Sequence, residues 1–313
     1  MNPSAIDFQP FELRNARDYA RWRAWKLADY PASASALSVP LGDPGALSAS
    51  ESAAILARCR KANMAIYDCG EHPFGKPLLR RFGRQFGLER LDMNLRADED
   101  SITSLRVVPR SAGTHYIPYT SRPLNWHTDG YYNSPDQQVR GILMHCVQDA
   151  ASGGENRLLD PEIAYLLLRD ANPAYIRALM QPDAMIIPAN IEAGSQIREA
   201  RSGPVFTVEK HSGSLHMRYT ARTRSIVWKD DRDTRMAVGF LAELLAGELP
   251  YTVSHRLRAG QGIICNNVLH CRSAFTDDAA SGRVRLLYRA RYHDRIRDTA
   301  PGNYFEEVLA CSG

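Results

Sequence analysis

Short apolar runs bounded by turn-forming residues recur through the middle and the C-terminal half of the chain. Ile142, Leu143 and Met144 lie in one such run, and Gly262-Ile263-Ile264-Cys265 follows the turn residues Ala259-Gly260-Gln261 in another. Runs of four to eight apolar residues with Gly, Pro, Asn or Asp at their ends are typical of β-strands. We therefore predict strands at residues 64–67, 104–108, 139–147, 251–257, 262–265 and 284–292, and a β-rich stretch at 183–224.

Helix signals lie between these strand-like runs. Ser48 or Ser50 is a suitable N-cap for a helix that runs to about Lys61. Asp160-Pro161 and Asn172-Pro173 each place proline at a first helical position, where its missing N–H costs nothing. Further helices are predicted at residues 11–30, 76–86 and 232–247.

Strand-rich blocks interrupted by helices predict a mainly β protein with flanking helices. We expect its core to be a double-stranded β-helix (jelly roll), whose two sheets form an open mouth for a small ligand. The Ser-, Pro- and Gly-rich loop at 31–46 is the one candidate boundary, but residues 1–30 are too few to fold alone. We therefore expect residues 1–313 to form a single domain, with 1–62 as a largely helical N-terminal flank packed on the β core.

Composition and charge narrow the classes of partner. The net charge is only +4 on 313 residues, and the cations are scattered without a nucleic-acid motif, so we expect no nucleic-acid partner. The six cysteines show no Cys-x-x-Cys spacing, and several lie in apolar runs where free thiols are common. With neither a signal peptide at the start nor a long apolar span, the chain is expected in the reducing cytoplasm and not in a membrane.

The chemistry-bearing motif is His127-Thr128-Asp129, far upstream of His270. Side chains two apart on a strand point the same way, so His127 and Asp129 should share one face. His270 follows the apolar run that ends at Cys265, which predicts that it lies near a strand end. Two histidines and one carboxylate on one face form the facial triad of non-heme Fe(II) oxygenases.

An arginine-rich segment follows the distal histidine. Read as a strand, it places Arg285, Arg289 and Arg291 on one face. The planar guanidinium fork suits carboxylates, so this row predicts anionic partners. Gly153-Gly154-Glu155-Asn156 lies a short way after the first two candidate ligands, where a polar side chain can reach a co-substrate.

Taken in order, these pieces resemble a known family. The pieces are residues 123–129, 153–156, 267–275 and 285–289. They look like the Fe(II)/2-oxoglutarate dioxygenases of the taurine dioxygenase, clavaminate synthase and γ-butyrobetaine hydroxylase superfamily. The resemblance covers roughly residues 64–292, and 126–132 followed by 143–146 is most like the γ-butyrobetaine hydroxylase branch.

The resemblance implies a role for each motif residue. His127, Asp129 and His270 would ligate Fe(II), with 2-oxoglutarate as co-substrate and O2 as oxidant. Arg285 would bind the distal carboxylate of 2-oxoglutarate. Arg289 would lie near the other end of the co-substrate or an anionic group of the substrate.

Two motif positions depart from the family pattern. Asn156 falls where many relatives carry Thr or Ser bonding the distal carboxylate, and an Asn amide can donate the same hydrogen bond. The pair Asn266-Asn267 replaces the more usual Asp-Asn, and we interpret it as a turn that aims His270.

The resemblance also indicates the reaction and leaves the substrate open. Oxidation of the substrate would accompany release of succinate and CO2, and Asp129 argues against halogenation. We expect hydroxylation of a small carboxylate-bearing metabolite, amino acid or betaine-like, that is anionic or zwitterionic. Trp126 and Tyr131 either line its pocket or pack under the strand, and Tyr131 would suit a quaternary ammonium through cation–π attraction.

The alternatives are the same chemistry on a sulfonate, a desaturation or other oxidation, or a non-catalytic jelly-roll protein that binds a ligand. A serine hydrolase is disfavoured because Gly-x-Ser-x-Gly is absent. His145, within an apolar strand, is interpreted as a core histidine. Homo-oligomerisation is left open.

Overall fold

A computed structural model of the chain describes residues 8–93, 98–108, 117–192, 195–222 and 226–311. The helices in these ranges are α1 (Ala16–Leu27), α2 (Ala34–Leu37), α3 (Ala49–Ala62), α4 (Lys76–Arg84), α5 (Pro161–Ala171), α6 (Pro173–Leu179), α7 (Arg232–Ala246) and α8 (Phe305–Ala310). The strands are β1 (Ser38–Pro40), β2 (Met64–Asp68), β3 (Thr103–Leu105), β4 (Leu124–His127), β5 (Gly141–Gln148), β6 (Ser152–Gly153), β7 (Asn156–Leu159), β8 (Met185–Ile187), β9 (Asn190–Glu192), β10 (Ser195–Arg198), β11 (Arg201–Gly203), β12 (Phe206–Val208), β13 (Leu215–Met217), β14 (Val227–Trp228), β15 (Val253–His255), β16 (Gln261–Cys265), β17 (Leu269–Arg272), β18 (Phe275–Thr276) and β19 (Leu286–Tyr292).

Two larger sheets form the centre of the molecule. One has six strands in the order β1-β2-β16-β5-β19-β3, and the other has four in the order β15-β7-β17-β4. A three-stranded sheet, β11-β8-β14, and three two-stranded pairs complete the strand pairing within the described ranges. The prediction of a mainly β protein with helices is confirmed.

Period-two alternation explains how the two larger sheets pack. On β5, Ile142 and Met144 belong to an apolar cluster that also contains Leu158 of the four-stranded sheet. Leu143, between them in sequence, packs on the opposite face with Phe82 of α4. Because side chains alternate along a strand, one face of the six-stranded sheet meets the four-stranded sheet and the other is covered by helices.

Helices cover the outer face of the four-stranded sheet in the same way. Trp126 on β4 and Leu269 on β17 belong to a large cluster that includes Ile163 of α5 and Leu241 of α7. Trp22 of α1 is buried in the same cluster. The side chains on the inner face of the sheet therefore point into the space between the two larger sheets.

The helix starts follow the predicted capping chemistry. Ser48 caps α3 in a capping box with Glu51, whose side chain accepts from the backbone N–H of Ser48. Asp160 and Asn172 accept from the backbone N–H two residues on, and a proline follows each. Both proline-marked starts are confirmed.

The N-terminal region differs from the prediction in two places. The first helix begins at Ala16 rather than residue 11, because the side chain of Asn15 accepts from the backbone N–H of Asp18 and caps it there. The predicted loop at 31–46 contains α2 and β1, and β1 pairs parallel with β2 at the edge of the six-stranded sheet. Strand β15 is also shorter than the predicted 251–257.

Residues 1–7, where the sequence shows no signal-peptide pattern, lie outside the described residues. Among the residues that the structure does describe, no helix combines the length and the apolar character that a bilayer crossing requires.

Candidate metal centre

The structure brings His127, Asp129 and His270 together. One potential ligand atom from each lies within 4.8 Å of the other two, and all three residues are buried. His127 Nε2 is 3.5 Å from Asp129 Oδ1, and the two imidazole ring centres are 4.2 Å apart. Two imidazoles and one carboxylate at this spacing form a donor set suited to a divalent transition metal.

Strand pairing places the two histidines. β4 and β17 are antiparallel neighbours, and His270 is directly opposite His127. On β17, Leu269 faces the outer helices, so His270 faces inward. The sequence predicted His270 near a strand end after the run at 262–265, whereas it lies on a separate strand, β17, which the apolar runs did not predict.

Asp129 reaches the cluster by a different route from the predicted one. β4 ends at His127, so strand alternation does not extend to Asp129. The backbone turns at Gly130, whose φ of +69° lies in the left-handed region, and a Cβ there would be 2.5 Å from Val139. The position of Asp129 is therefore determined by the contacts of this turn rather than by the strand.

The side chain of Asn267 provides the principal contact. Its amide oxygen accepts from the backbone N–H of Asp129 at 2.8 Å, and its amide nitrogen donates to the Asp129 carbonyl at 2.9 Å. The same nitrogen donates to the Val139 carbonyl at 2.6 Å. The sequence interpretation of Asn266-Asn267 as a turn agrees with the positive φ of Asn267, +50°, but it missed this contact.

Both candidate histidine ligands are oriented by a hydrogen bond from Nδ1 to a backbone carbonyl. His127 Nδ1 lies 2.9 Å from the Asn125 carbonyl, and His270 Nδ1 lies 2.9 Å from the Val268 carbonyl. A carbonyl only accepts, so each Nδ1 carries a proton and Nε2 is the ring nitrogen left to face a metal. Burial, followed by the nearby His127 ring, lowers the pKa of His270 to about 4, so its imidazole is neutral at pH 7.

Arg289 is the cation of this cluster. Its Nη1 donates to Asp129 Oδ1 at 3.3 Å and lies 3.2 Å from Oδ2, which accepts no hydrogen bond. Burial alone would raise the pKa of Asp129, but Arg289, then His127 and Arg291, together hold that pKa well below its usual range. Asp129 is therefore an ionised carboxylate whose Oδ2 is paired with Arg289 but accepts no hydrogen bond.

A second polar group lies between the sheets at Arg285 and Asn156. Both are buried and line one small cavity with Gly154, where a Cβ would be 3.8 Å from Arg285 Nε. Arg285 Nη1 has no hydrogen-bond partner, and burial lowers the pKa of its guanidinium. An unpartnered buried guanidinium beside a buried amide is suited to bind a carboxylate.

Arg272 lies in the same region and was missed as a site residue from the sequence. It is directly opposite Asn156 on the neighbouring strand, and its guanidinium is 4.8 Å from the ring centre of Phe275. Burial, then the charge on Arg285, lowers the pKa of Arg272 to about 9. Its spacing of two from His270 on one strand was the signal that could have indicated an inward-facing side chain.

Three other candidate residues have protein partners in the structure. Arg291 is buried against Asp92 and donates to the Tyr132 hydroxyl at 3.0 Å, so a neighbouring acid already satisfies it. Trp126 lies in the outer apolar cluster, and its indole N–H donates to the Leu245 carbonyl at 2.9 Å. Tyr131 is half-buried, packs edge-on against Tyr132, and its carbonyl accepts from Arg218.

His145 lies on the far side of the six-stranded sheet from this cluster. Its ring stacks on Phe74 with 3.8 Å between ring centres, and burial lowers its pKa to about 4. It is a core histidine, as the sequence indicated.

Comparison with known proteins adds to this geometry. A family model described as taurine catabolism dioxygenase TauD, TfdA family, matches residues 31–291. Among curated proteins, a uridine-5'-phosphate dioxygenase from a Streptomyces species is 29% identical over 216 residues, which are 62% of this chain and 70% of that protein.

Solved structures show the same fold at low identity. PvcB from Pseudomonas aeruginosa has a TM-score of 0.56 and 15% identity, over 83% of this chain and 87% of its own. A protein from Burkholderia xenovorans described as an alpha-ketoglutarate-dependent taurine dioxygenase has a TM-score of 0.55 and 19% identity, over 82% and 86%. Asparagine oxygenase, in complex with Fe(II), 2S,3S-3-hydroxyasparagine and succinate, has a TM-score of 0.53 and 14% identity, over 88% and 89%.

Proposed function

The chain belongs to the taurine catabolism dioxygenase TauD, TfdA family, and on that premise we propose that His127, Asp129 and His270 hold the Fe(II) of a hydroxylase. The protein is a non-heme iron dioxygenase that uses Fe(II), 2-oxoglutarate and O2. This membership sets aside the alternative of a non-catalytic ligand-binding protein. It leaves the substrate and the individual residue roles to be argued.

The observation that carries the iron site is the state of its three donors. Each Nδ1 donates to a carbonyl, which leaves Nε2 of both histidines to face a metal, and Asp129 Oδ2 is buried without a hydrogen bond. Oδ2 lies 3.2 Å from Arg289 Nη1 but accepts no hydrogen bond, so this ionised oxygen keeps lone pairs for a metal cation. Fe(II) bound there supplies the activation of O2 that no side chain can perform.

The co-substrate is assigned to the space between the two larger sheets. We assign its distal carboxylate to Arg285 and Asn156, which line one cavity and offer donors without an ion-pair partner in the described part of the chain. Arg289 orients the Asp129 carboxylate, and its buried Nε has no partner. That free N–H is available to an anionic group of the co-substrate or the substrate.

The architecture is part of the same proposal. The six- and four-stranded sheets share an apolar cluster, and we assign them as the two sheets of a double-stranded β-helix. We treat residues 1–313 as one dioxygenase domain with 1–62 as its N-terminal flank, which adds β1 to the six-stranded sheet.

The substrate class is a small anionic metabolite that the enzyme hydroxylates. Arg289 and Arg291, which predicted a carboxylate-bearing amino acid or betaine-like substrate, pair with Asp129 and Asp92 in the structure. A second candidate, a nucleoside 5'-phosphate, is favoured by the similarity to a uridine-5'-phosphate dioxygenase. Sulfonates and desaturation are the remaining variants of the same chemistry.

Anaerobic addition of Fe(II) and then 2-oxoglutarate tests the cofactor assignments. We expect the weak visible band of an iron-bound 2-oxo acid, absent in His270→Ala and weakened in Arg285→Ala. Succinate release is then measured against panels of amino acids, betaines, sulfonates and nucleoside 5'-monophosphates. The absence of a band in iron-loaded wild type would refute the assigned iron site, whereas a band without turnover on any panel would refute the substrate class alone.

A further inference from the structure

The guanidinium groups of two buried arginines, Arg272 and Arg285, lie beside the same aromatic ring, that of Phe275. The guanidinium carbons of Arg272 and Arg285 are 4.8 Å and 4.9 Å from the ring centre of Phe275. Each arginine is only 5% exposed. Within the described ranges, neither guanidinium forms an ion pair with a carboxylate, although Asp277 accepts from the backbone N–H of Arg285.

Strand pairing places Arg272 beside Asn156, a residue that lines the candidate co-substrate cavity, although Arg272 itself does not line that cavity. On β17, Leu269 and Cys271 pack against the outer cluster, so His270 and Arg272 face the space between the sheets. Arg272 is directly opposite Asn156 on β7, which lines that cavity together with Arg285. Side chains directly opposite on antiparallel strands have Cβ atoms about 5 Å apart.

The Arg272 guanidinium is held in place but is not fully satisfied. Its Nη2 donates to the carbonyls of Thr120, at 2.9 Å, and Arg122, at 2.5 Å, which fixes the plane of the group. Its buried Nε has no partner, and neither has Nη1 of Arg285. Two adjacent buried cations with free donors are costly unless an anion lies between them.

We propose that Arg272 is a second arginine for the distal carboxylate of the co-substrate, acting together with Arg285 and Asn156. This inference rests on the proposed function, because it concerns the same 2-oxo acid site. Two guanidiniums and one amide around a single carboxylate select a 2-oxo acid with a second carboxylate over one without it. Arg272 also lies two residues after His270 on β17, so one strand carries residues of both the carboxylate site and the proposed metal site.

Anaerobic titration with two 2-oxo acids tests the inference. 2-Oxoglutarate carries the distal carboxylate and 2-oxobutanoate does not, and each is titrated into Fe(II)-loaded protein by its visible band. Arg272→Gln should raise the Kd for 2-oxoglutarate at least tenfold and leave the Kd for 2-oxobutanoate within about twofold, because a charged hydrogen bond is lost only from the dicarboxylate.

Arg169→Gln is the matched control. Arg169 is equally buried, donates to the carbonyls of Pro10, Glu12 and Leu13, and lies 3.8 Å from the ring of Tyr19. It is in the outer helical layer, so its variant should lower stability and leave both Kd values unchanged.

The outcomes separate this inference from the function on which it rests. Equal weakening of both 2-oxo acids in Arg272→Gln, or a loss of stability alone, would make Arg272 only a clamp for the segment before β4. If that variant does not fold, Arg285→Gln decides: a remaining preference of about tenfold for 2-oxoglutarate supports Arg272, and complete loss of preference overturns it. A wild type that binds neither 2-oxo acid overturns the proposed function itself.

Discussion

Asn267 holds both polar groups of the Asp129 backbone with one side-chain amide. The two hydrogen bonds, 2.8 Å and 2.9 Å long, join residues that are 138 positions apart. By holding the Asp129 backbone, this amide fixes the position and the direction of the Asp129 carboxylate relative to His270, which is three residues after Asn267. Groups that orient ligands in this way are as important to a metal site as the ligands themselves.

Replacing Asn267 with glycine should weaken iron binding without straining the backbone. Glycine keeps the φ of +50° that Asn267 adopts but removes the amide, so only the hydrogen bonds are lost. We expect Fe(II) affinity to fall roughly 10- to 100-fold and the free energy of unfolding to fall by about 2–4 kcal/mol. Anaerobic Fe(II) titration and urea unfolding measure the two effects, and unchanged affinity in a destabilised variant would limit Asn267 to a folding role.

Asp129→Ala should abolish most iron-dependent turnover. The change removes the carboxylate ligand and also leaves Arg289 buried beside two imidazoles without its acid. Removing one partner of a buried ion pair costs about 3–5 kcal/mol, so the metal-free variant should also be less stable. Asp129→Asn keeps the shape of the side chain but removes its charge, and it is the matched control variant. Full activity in Asp129→Ala would exclude Asp129 as a ligand.

Arg291→Met should lower stability and leave substrate binding unchanged. Arg291 is almost fully buried and pairs with Asp92, so its loss leaves an uncompensated acid. We expect a loss of about 3–5 kcal/mol in the free energy of unfolding. The KM for the substrate, once the panel identifies it, should change less than twofold. A large rise in KM with normal stability would return Arg291 to the substrate site.

Lys26→Met should produce a pH-dependent loss of stability. Lys26 is completely buried between Asp160, at 2.6 Å, and Glu162, at 2.7 Å. Burial already raises the pKa of Asp160 in the native protein, and loss of the ammonium raises it further. A carboxyl group whose pKa is higher in the folded than in the unfolded state contributes stability at low pH, and this contribution is lost as the pH rises through the folded-state pKa. The difference in the free energy of unfolding between wild type and variant should therefore shrink as pH falls from about 8 to about 5. Urea unfolding at several pH values measures this, and a constant deficit would contradict the argument.

The sequence predicted the features that depend on local patterns. The apolar runs predicted the strands β5, β16 and β19, and the Asp-Pro and Asn-Pro pairs predicted two helix starts. These features require only the alternation of side chains and the geometry of proline.

The features that were missed depend on partners far away in the chain. Arg291 appeared free for a substrate because Asp92, its partner, is 199 residues away. Trp126 was left with two interpretations, lining the pocket or packing under the strand, because the Leu245 carbonyl that accepts its indole N–H is 119 residues away. Long-range pairing of this kind leaves no periodic signal in one sequence.

The position of β17 has a consequence for when the centre can form. β17 is inserted between β4 and β7, and only this insertion brings His270 opposite His127. During synthesis from the N-terminus, more than a hundred further residues must therefore be added after β7 before the strand that pairs between β4 and β7 is present. A chain interrupted before β17 cannot assemble the three donors, so the proposed iron site forms only in chains whose four-stranded sheet is complete.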